Sequence, residues 1–353
     1  MGYFKETDGL RYFLEKKENG GEENQFPAGF DSFTKTYTEI EQYLNSHIHR
    51  HVNSGAAAMG SGLLTDHGEK HVATVILRAT SLVHDNIENI TGYEIFILLL
   101  AIHFHDVGNI MGREKHEEKI FEIIDKLPAL AVFDFPVKRV IAQIAMAHGG
   151  YVDEETKDKD TISRLDDAIY LNGLRVRVSM LAAILRFADE LADDKTRIEQ
   201  ATFDIGSIPK GNQIYHLYSK CLQPPVLEGD TIKLEYYLDY EYVINQYYKG
   251  DSKVYLYDEI LERISKCLCE LEYCKRFCYG FIKINAISAR IVVIGKNRKI
   301  IYDNTFKTKH AGYPNIKDFD AVSYTHLRAN ETDQYMGIRH LQVKKNGGGG
   351  GGG

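Results

Sequence analysis

Five side chains with metal-ligand chemistry sit where helical periodicity asks for hydrocarbon, and they constrain the fold more than any other feature of the chain. They are His71, the adjacent pair His105-Asp106, His148 and Asp189. Over Pro136–His148, the residues Val137, Val140, Ile141, Ile144 and Ala145 recur at helical spacing, and His148 follows Ile144 by four on the same face. Over Arg175–Ala192 the stripe is Leu181, Ile184, Leu185, Ala188, Leu191 and Ala192, and Asp189 follows Leu185 by four. A carboxylate on a core face is costly unless it is paired or holds a cation. One such residue fits a satisfied buried polar group. Several, from different helices and offering imidazole nitrogen and carboxylate oxygen, point to one shared cation.

His105-Asp106 is the sharpest piece. Neighbouring residues at a helix end can both face one ion, because the chain leaves helical geometry there, and Gly108 is expected to supply that freedom. The nitrogen and oxygen mix suits ions of the Mn, Mg, Fe or Zn class. For the pair alone, a buried His–Asp hydrogen bond remains the alternative.

The chain of 353 residues is long enough for two domains and a sizeable core. Its net charge of −7 carries no nucleic-acid footprint and argues against a nucleic-acid partner. Five cysteines, an odd number crowded towards Cys267, Cys269, Cys274 and Cys278, do not form a secreted disulfide framework. The N-terminus is too charged for a signal peptide, and Glu6 stands where a myristoylation motif needs Ser or Thr. The longest apolar run, Ile95–Ile102, is too short to span a bilayer. No membrane partner is expected, and the expected location is cytoplasmic.

Residues 1–30 are charged and expected to be loosely ordered. Asp31 or Ser32 can cap a helix running to about Asn53, and Ser54–Leu64 reads as a loop. Further helices are expected over Thr65–Val83, Gly92–Phe104, Glu114–Leu127, Pro136–His148 and Leu174–Leu191, with 151–173 an acidic loop. Gly92–Phe104 is apolar all round and therefore buried. The composition then changes. Thr231–Tyr240 alternates as a strand, Leu256–Tyr279 is helical, and Ile282–Ile294 and Lys299–Tyr302 read as strands around a turn at Gly295-Lys296-Asn297. The fold class is therefore mainly α, an all-helical unit followed by a smaller α+β unit.

With the segments placed, the chain resembles the HD-domain metal-dependent phosphohydrolase superfamily. The matching pieces are TDHGEKH (Thr65–His71), LLLAIHFHDVGN (Leu98–Asn109), AMAHGG (Ala145–Gly150) and LRFADELADD (Leu185–Asp194), over about residues 60–195. The resemblance implies an HD bundle over 31–205 and an α+β subdomain over 206–320. It implies that His71, His105, Asp106 and Asp189 are core ligands. His148 is implied as a ligand to a second metal or a group touching substrate phosphate. His116, in GREKH, is implied as a further ligand or a general acid. One or two divalent ions are expected, with Asp106 able to bridge two and orient the attacking water.

Arg113, Lys115 and Arg186 lie near these motifs and can neutralise phosphate; surface charge is the favoured account of Lys115, and Arg186 is retained as a catalytic candidate. The second HD dipeptide, His84-Asp85, falls outside its stripe and reads as a helix end and a turn. His67 is expected to bond locally and His103 to be structural. Cys267, Cys274 and Cys278 share a helical face, as core thiols do. The Tyr-rich run from Tyr236 to Tyr257 fits sheet packing or a partner surface better than base stacking.

The expected activity is metal-dependent hydrolysis of a phosphate ester, with a nucleotide or another small phosphorylated compound as substrate. The alternative is a regulatory module. LYDEILERISKCLCELEYCKRF resembles the region that joins an N-terminal HD domain to a GHKL/Hsp90-like ATPase in some bacterial proteins, which implies a fused or partner ATPase domain. The last 33 residues are different in kind. VSYTHLRA (Val322–Ala329) resembles translated sequencing adaptor, and seven glycines end the chain. Residues 321–353 are expected to be an artefactual tail, which removes His326 and His340 from the ligand set, and the natural chain is expected to continue past Asp320.

Overall fold

The computed structural model describes residues 9–21, 25–29, 31–56, 67–112, 114–152, 155–156, 158–197 and 210–309. Thr65, Arg113, most of the Ser54–Leu64 loop and the 321–353 tail lie outside the described residues. The chain divides into two compact units. The first holds 1–192 and Tyr273–Lys283, and the second holds 193–272 and 284–353.

The first unit is built around one helix, α5 (Gly92–Phe104), every residue of which is buried. Thr91 caps it: the Thr91 hydroxyl accepts from the Glu94 amide and the Glu94 carboxylate accepts from the Thr91 amide. By length and composition the run Gly92–Met111 is apolar enough to cross a membrane, yet 89% of its apolar window is buried inside the unit. The helices α1 (Leu10–Asn19), α2 (Phe33–Leu44), α4 (Glu69–Val83), α7 (Phe135–Met146) and α8 (Val178–Glu190) pack around it. Between α2 and α4 lie a π turn at Asn45–His49 and α3 (Arg50–Ala56). The short α6 (Ile120–Lys126) precedes α7.

Three expectations change here. Residues 10–19 are an ordered helix, because Leu10, Phe13, Leu14 and Lys17 form a buried face within a charged stretch. The first unit is not wholly helical. Leu174–Val176 belongs to a hairpin of β1 (Ile169–Leu171) and β2 (Leu174–Val176), and α8 starts only at Val178. Its turn is Asn172-Gly173, both with positive φ (51° and 83°), the geometry a two-residue hairpin of right-handed twist requires. The Glu114–Leu127 segment is a single 3₁₀ turn at Glu117–Lys119 followed by α6.

The second unit contains α9 (Gln213–Cys221) and a four-stranded sheet. The sheet order is β3 (Val226–Glu228), β4 (Thr231–Asp239), β7 (Ala286–Ile294), β8 (Ile300–Lys309). β4 and β7 are parallel and in register from Thr231↔Ala286 to Asp239↔Ile294, and the outer pairs are antiparallel. The parallel pair needs a long connection. It is supplied by α10 (Tyr240–Ile244), the hairpin β5 (Gln246–Lys249)–β6 (Ser252–Tyr255) and α11 (Leu256–Lys275), whose last three residues belong to the first unit. Two tyrosines of this region serve packing: Tyr236 and Tyr257 are fully buried, and Tyr257 meets Tyr302 of β8 edge-on, whereas Tyr237 is exposed. Cys267, Cys274 and Cys278 are buried and form no disulfide with one another.

Candidate metal centre

The site forms where the ends of four elements of the first unit converge. His71 stands in the first turn of α4, His105 caps the C-terminus of α5, His148 follows α7, and Asp189 lies in the last turn of α8. Asp106 has φ −107° and ψ 1°, so the chain leaves helical geometry at the ligand itself. Gly108 plays another part than expected. Its φ is not positive, and a Cβ there would lie 1.8 Å from the carbonyl oxygen of His116. The residue is needed for close approach of the His116 strand of chain, not for backbone freedom.

The two oxygens of Asp106 face two groups of imidazoles. Oδ2 is 3.2 Å from His105 Nε2, 3.6 Å from His71 Nε2 and 2.6 Å from His67 Nδ1. Oδ1 is 3.2 Å from His116 Nε2 and 3.9 Å from His148 Nε2. Asp189 Oδ1 closes the first group, 3.1 Å from His71 Nε2 and 3.7 Å from His105 Nε2. Three triples therefore offer ligand atoms within 4.8 Å of one another: His67-His71-Asp106, His71-His105-Asp189 and Asp106-His116-His148.

The helix ends orient the rings. His105 Nδ1 is 2.7 Å from the carbonyl of Ile102, and His148 Nδ1 is 2.6 Å from the carbonyl of Ala145. Both carbonyls lie in a last helical turn, where the regular bonds of the helix run out. A ring donating from Nδ1 turns the lone pair of Nε2 towards the cluster, as an outer partner does for a metal-ligating histidine. His116 repeats the arrangement with Nδ1 3.2 Å from Glu117 Oε2. Asn109 completes the shell, donating to Asp106 Oδ1 at 3.0 Å.

The electrostatics require positive charge. Burial by itself raises the Asp106 carboxyl, but His67 and His105 outweigh it and hold the group well below the usual carboxylate range. Burial likewise opposes ionisation of Asp189, and hydrogen bonds from His105 and His71 prevail. His105 shows the other side: burial disfavours its charge, yet Asp106 and Asp189 push its pKa up to about 10. His148 is driven down to about 4 by burial and by the charge of His105, which leaves a neutral nitrogen for coordination. A divalent cation here would take the place of the His105 proton, and the two anionic carboxylates with the imidazole nitrogens form a donor set that fits it; these buried groups can hold a metal ion.

All six expected metal residues are thus brought together. His67, expected to bond locally, joins the cluster at Asp106 Oδ2 from a position just before Gly68, the N-cap of α4. Glu117 and Asn109 were not anticipated. Arg186 is placed elsewhere by its contacts: Nη1 donates to the Lys159 carbonyl (2.9 Å) and to Thr161 Oγ1 (3.0 Å), and the guanidinium lies over the Tyr273 ring. Its side chain holds the 159–161 loop, a positioning task. Lys115 is exposed beside Glu118. His84-Asp85 lies outside the cluster with His84 half-buried and Asp85 exposed, and His103 is buried between Tyr37 and His49. A cavity of about 860 Å³ lies against His116 and Glu117.

No curated protein and no solved structure matches the chain. A family model described as HD-CE matches residues 61–266, which include the whole described cluster and more than half of the 353 residues. The chain belongs to the HD-CE family.

Proposed function

We propose that the protein is a metal-dependent phosphohydrolase acting on a small phosphate ester, a nucleotide in the first instance. The observation that carries this is the division of Asp106: one oxygen faces His71, His105 and His67, and the other faces His116 and His148. With Asp106, the residues His71, His105 and Asp189 would hold one divalent ion and His116 and His148 a second; bound there, such ions would polarise a phosphoryl oxygen and acidify a water. Glu117, pushed down to about 2 because His116 outweighs its burial, stays anionic and fixes the His116 ring. A cavity lined by His116 and Glu117 adjoins this half of the cluster.

The test is phosphate release by purified protein from a panel of nucleotides with Mn²⁺ or Mg²⁺. Activity is expected and should vanish in Asp106→Ala. Full activity in that variant would refute the proposal. A second reading is favoured by the reach of the family match, which runs past the metal cluster to residue 266 of the sheet-containing unit. In it the cluster binds its ligand as the regulatory part of a larger, ATPase-containing protein, and metal-dependent binding without release is the expected result.

A further inference from the structure

The cavity has a chemistry of its own. Its lining includes His116, whose buried Nε2 is 3.2 Å from Asp106 Oδ1. Its wall carries Tyr151, Lys159, Thr161 and Arg164. Tyr151 is 48% exposed, an aromatic ring left at a cavity rim instead of in the core. The Lys159 ammonium lies 5.3 Å from the centre of that ring. Arg164 and Lys159 are exposed on the same wall.

This wall is tied to the cluster. Thr161 Oγ1 donates to the carbonyl of Ala147, the residue before His148, at 2.7 Å, and accepts from Arg186. Arg186 also holds the Lys159 carbonyl. A rim fixed in this way loses little freedom when a ligand binds. The volume of about 860 Å³ lies within the range of small-molecule sites.

We infer that the cavity takes a phosphorylated ligand bearing a flat heteroaromatic ring. The phosphate lies at the His116 end of the cavity, the ring stacks on Tyr151, and Lys159 and Arg164 meet the negative charge. The assignment rests on the phosphate-handling reading of the cluster, and its test is separable from turnover. The chain contains no tryptophan, so Tyr151→Trp introduces a single fluorophore at the rim. With Mg²⁺ present, adenosine, guanosine and uridine 5′-monophosphates are titrated in turn. At least one is expected to quench the emission saturably, because bases stack on aromatic faces. Ribose 5-phosphate should give no quenching and should displace that nucleotide only at about tenfold higher concentration or more. Adding Lys159→Ala and Arg164→Ala should raise the midpoint about tenfold or more. Calorimetry on Tyr151→Ala, a half-exposed position whose truncation spares the core, should show a similar loss.

The inference is overturned if none of the three nucleotides quenches. It is equally overturned if ribose 5-phosphate competes as well as the nucleotide, or if the Lys159/Arg164 substitutions leave the midpoint unchanged. Phosphate release by the unaltered protein is measured separately. Quenching without release keeps the cavity assignment and removes the hydrolase reading, and release without quenching does the reverse.

Discussion

Gly108→Ala is a small change with a large expected effect on one half of the centre. The added Cβ would stand 1.8 Å from the His116 carbonyl oxygen, 2.7 Å from its carbon and 3.1 Å from its Cα. These are backbone atoms, so no side-chain rotation relieves the clash. The His116 chain must retreat by about 1 Å or more for the contact to become tolerable. His116 Nε2 is 3.2 Å from Asp106 Oδ1, so such a shift carries it out of hydrogen-bond and ligand range. The overpacking itself should cost about 1–3 kcal/mol. In a unit of this size that lowers Tm by roughly 2–12 °C. His71, His105 and Asp189 lie on the other side of Asp106 and keep their geometry. Metal titration by calorimetry should therefore show loss of one binding event and retention of the other, alongside the lower Tm. Gly211→Ala is the control, since nothing lies within 4 Å of its Cβ and its φ is not positive. An unchanged Tm together with unchanged metal stoichiometry in Gly108→Ala would refute the reasoning.

Three further outcomes follow from particular contacts. Asp106→Asn removes the charge both imidazole groups share and should abolish both binding events, whereas His148→Ala should abolish one; equal stoichiometry in the two variants, read by elemental analysis, would contradict the shared carboxylate. Stripping metal with a chelator should lower Tm, because a ligand at about 100 times its Kd contributes about 2.7 kcal/mol; no change in thermal melting argues against a bound ion. Glu94 is 1% exposed, and although burial raises its pKa, hydrogen bonds and charge from Arg177 hold it below the ordinary value. A lowered carboxyl stabilises the fold above the unfolded pKa of about 4.3 and loses that contribution as pH falls through the folded value. Glu94→Gln should therefore cost about 3 kcal/mol at pH 7 by stranding Arg177, and the gap in Tm to the unaltered protein should close on acidification below about pH 4; a gap independent of pH would refute the assignment.

The parts of the fold legible in the sequence are those where one local signal dominates. Gly92–Phe104 is apolar on every side and carries Thr91 and Glu94 at capping-box spacing, and its bounds in the structure are those of the sequence pattern. Where tertiary packing decides, the sequence was a poorer guide. Leu10, Phe13 and Leu14 are too few to outweigh the surrounding charge in a compositional reading, yet their burial against α5 orders the segment. Asn172-Gly173 is a strong hairpin signal, but strands of three residues carry no alternation to set against a helical stripe that continues from Val178. The short β3, β5 and β6 escaped for the same reason.

The HD dipeptide occurs twice, and the contrast between its two copies shows what made the site legible. His84-Asp85 and His105-Asp106 are the same chemistry at two helix ends. The first pair has side chains 41% and 77% exposed, and the second 0% and 6%. The difference lies in the flanks: Leu98–Phe104 buries whatever follows it, whereas His84-Asp85 opens the 3₁₀ turn His84–Asn89, in which Ile87 alone is buried. Burial is what turns a His–Asp pair into a demand for a cation, since in water neither group needs a partner. What the flanks did not encode is direction. Periodicity placed His71, His105, His148 and Asp189 on core faces but could not say that Asp106 divides its oxygens between two sets. That follows from the carbonyls of Ile102 and Ala145 turning two rings inward, and from Gly108 admitting the His116 backbone. Arg186 shows the same limit. Its place one turn before Asp189 puts it near the site, but the carbonyl of Lys159 and the hydroxyl of Thr161 decide where its guanidinium goes.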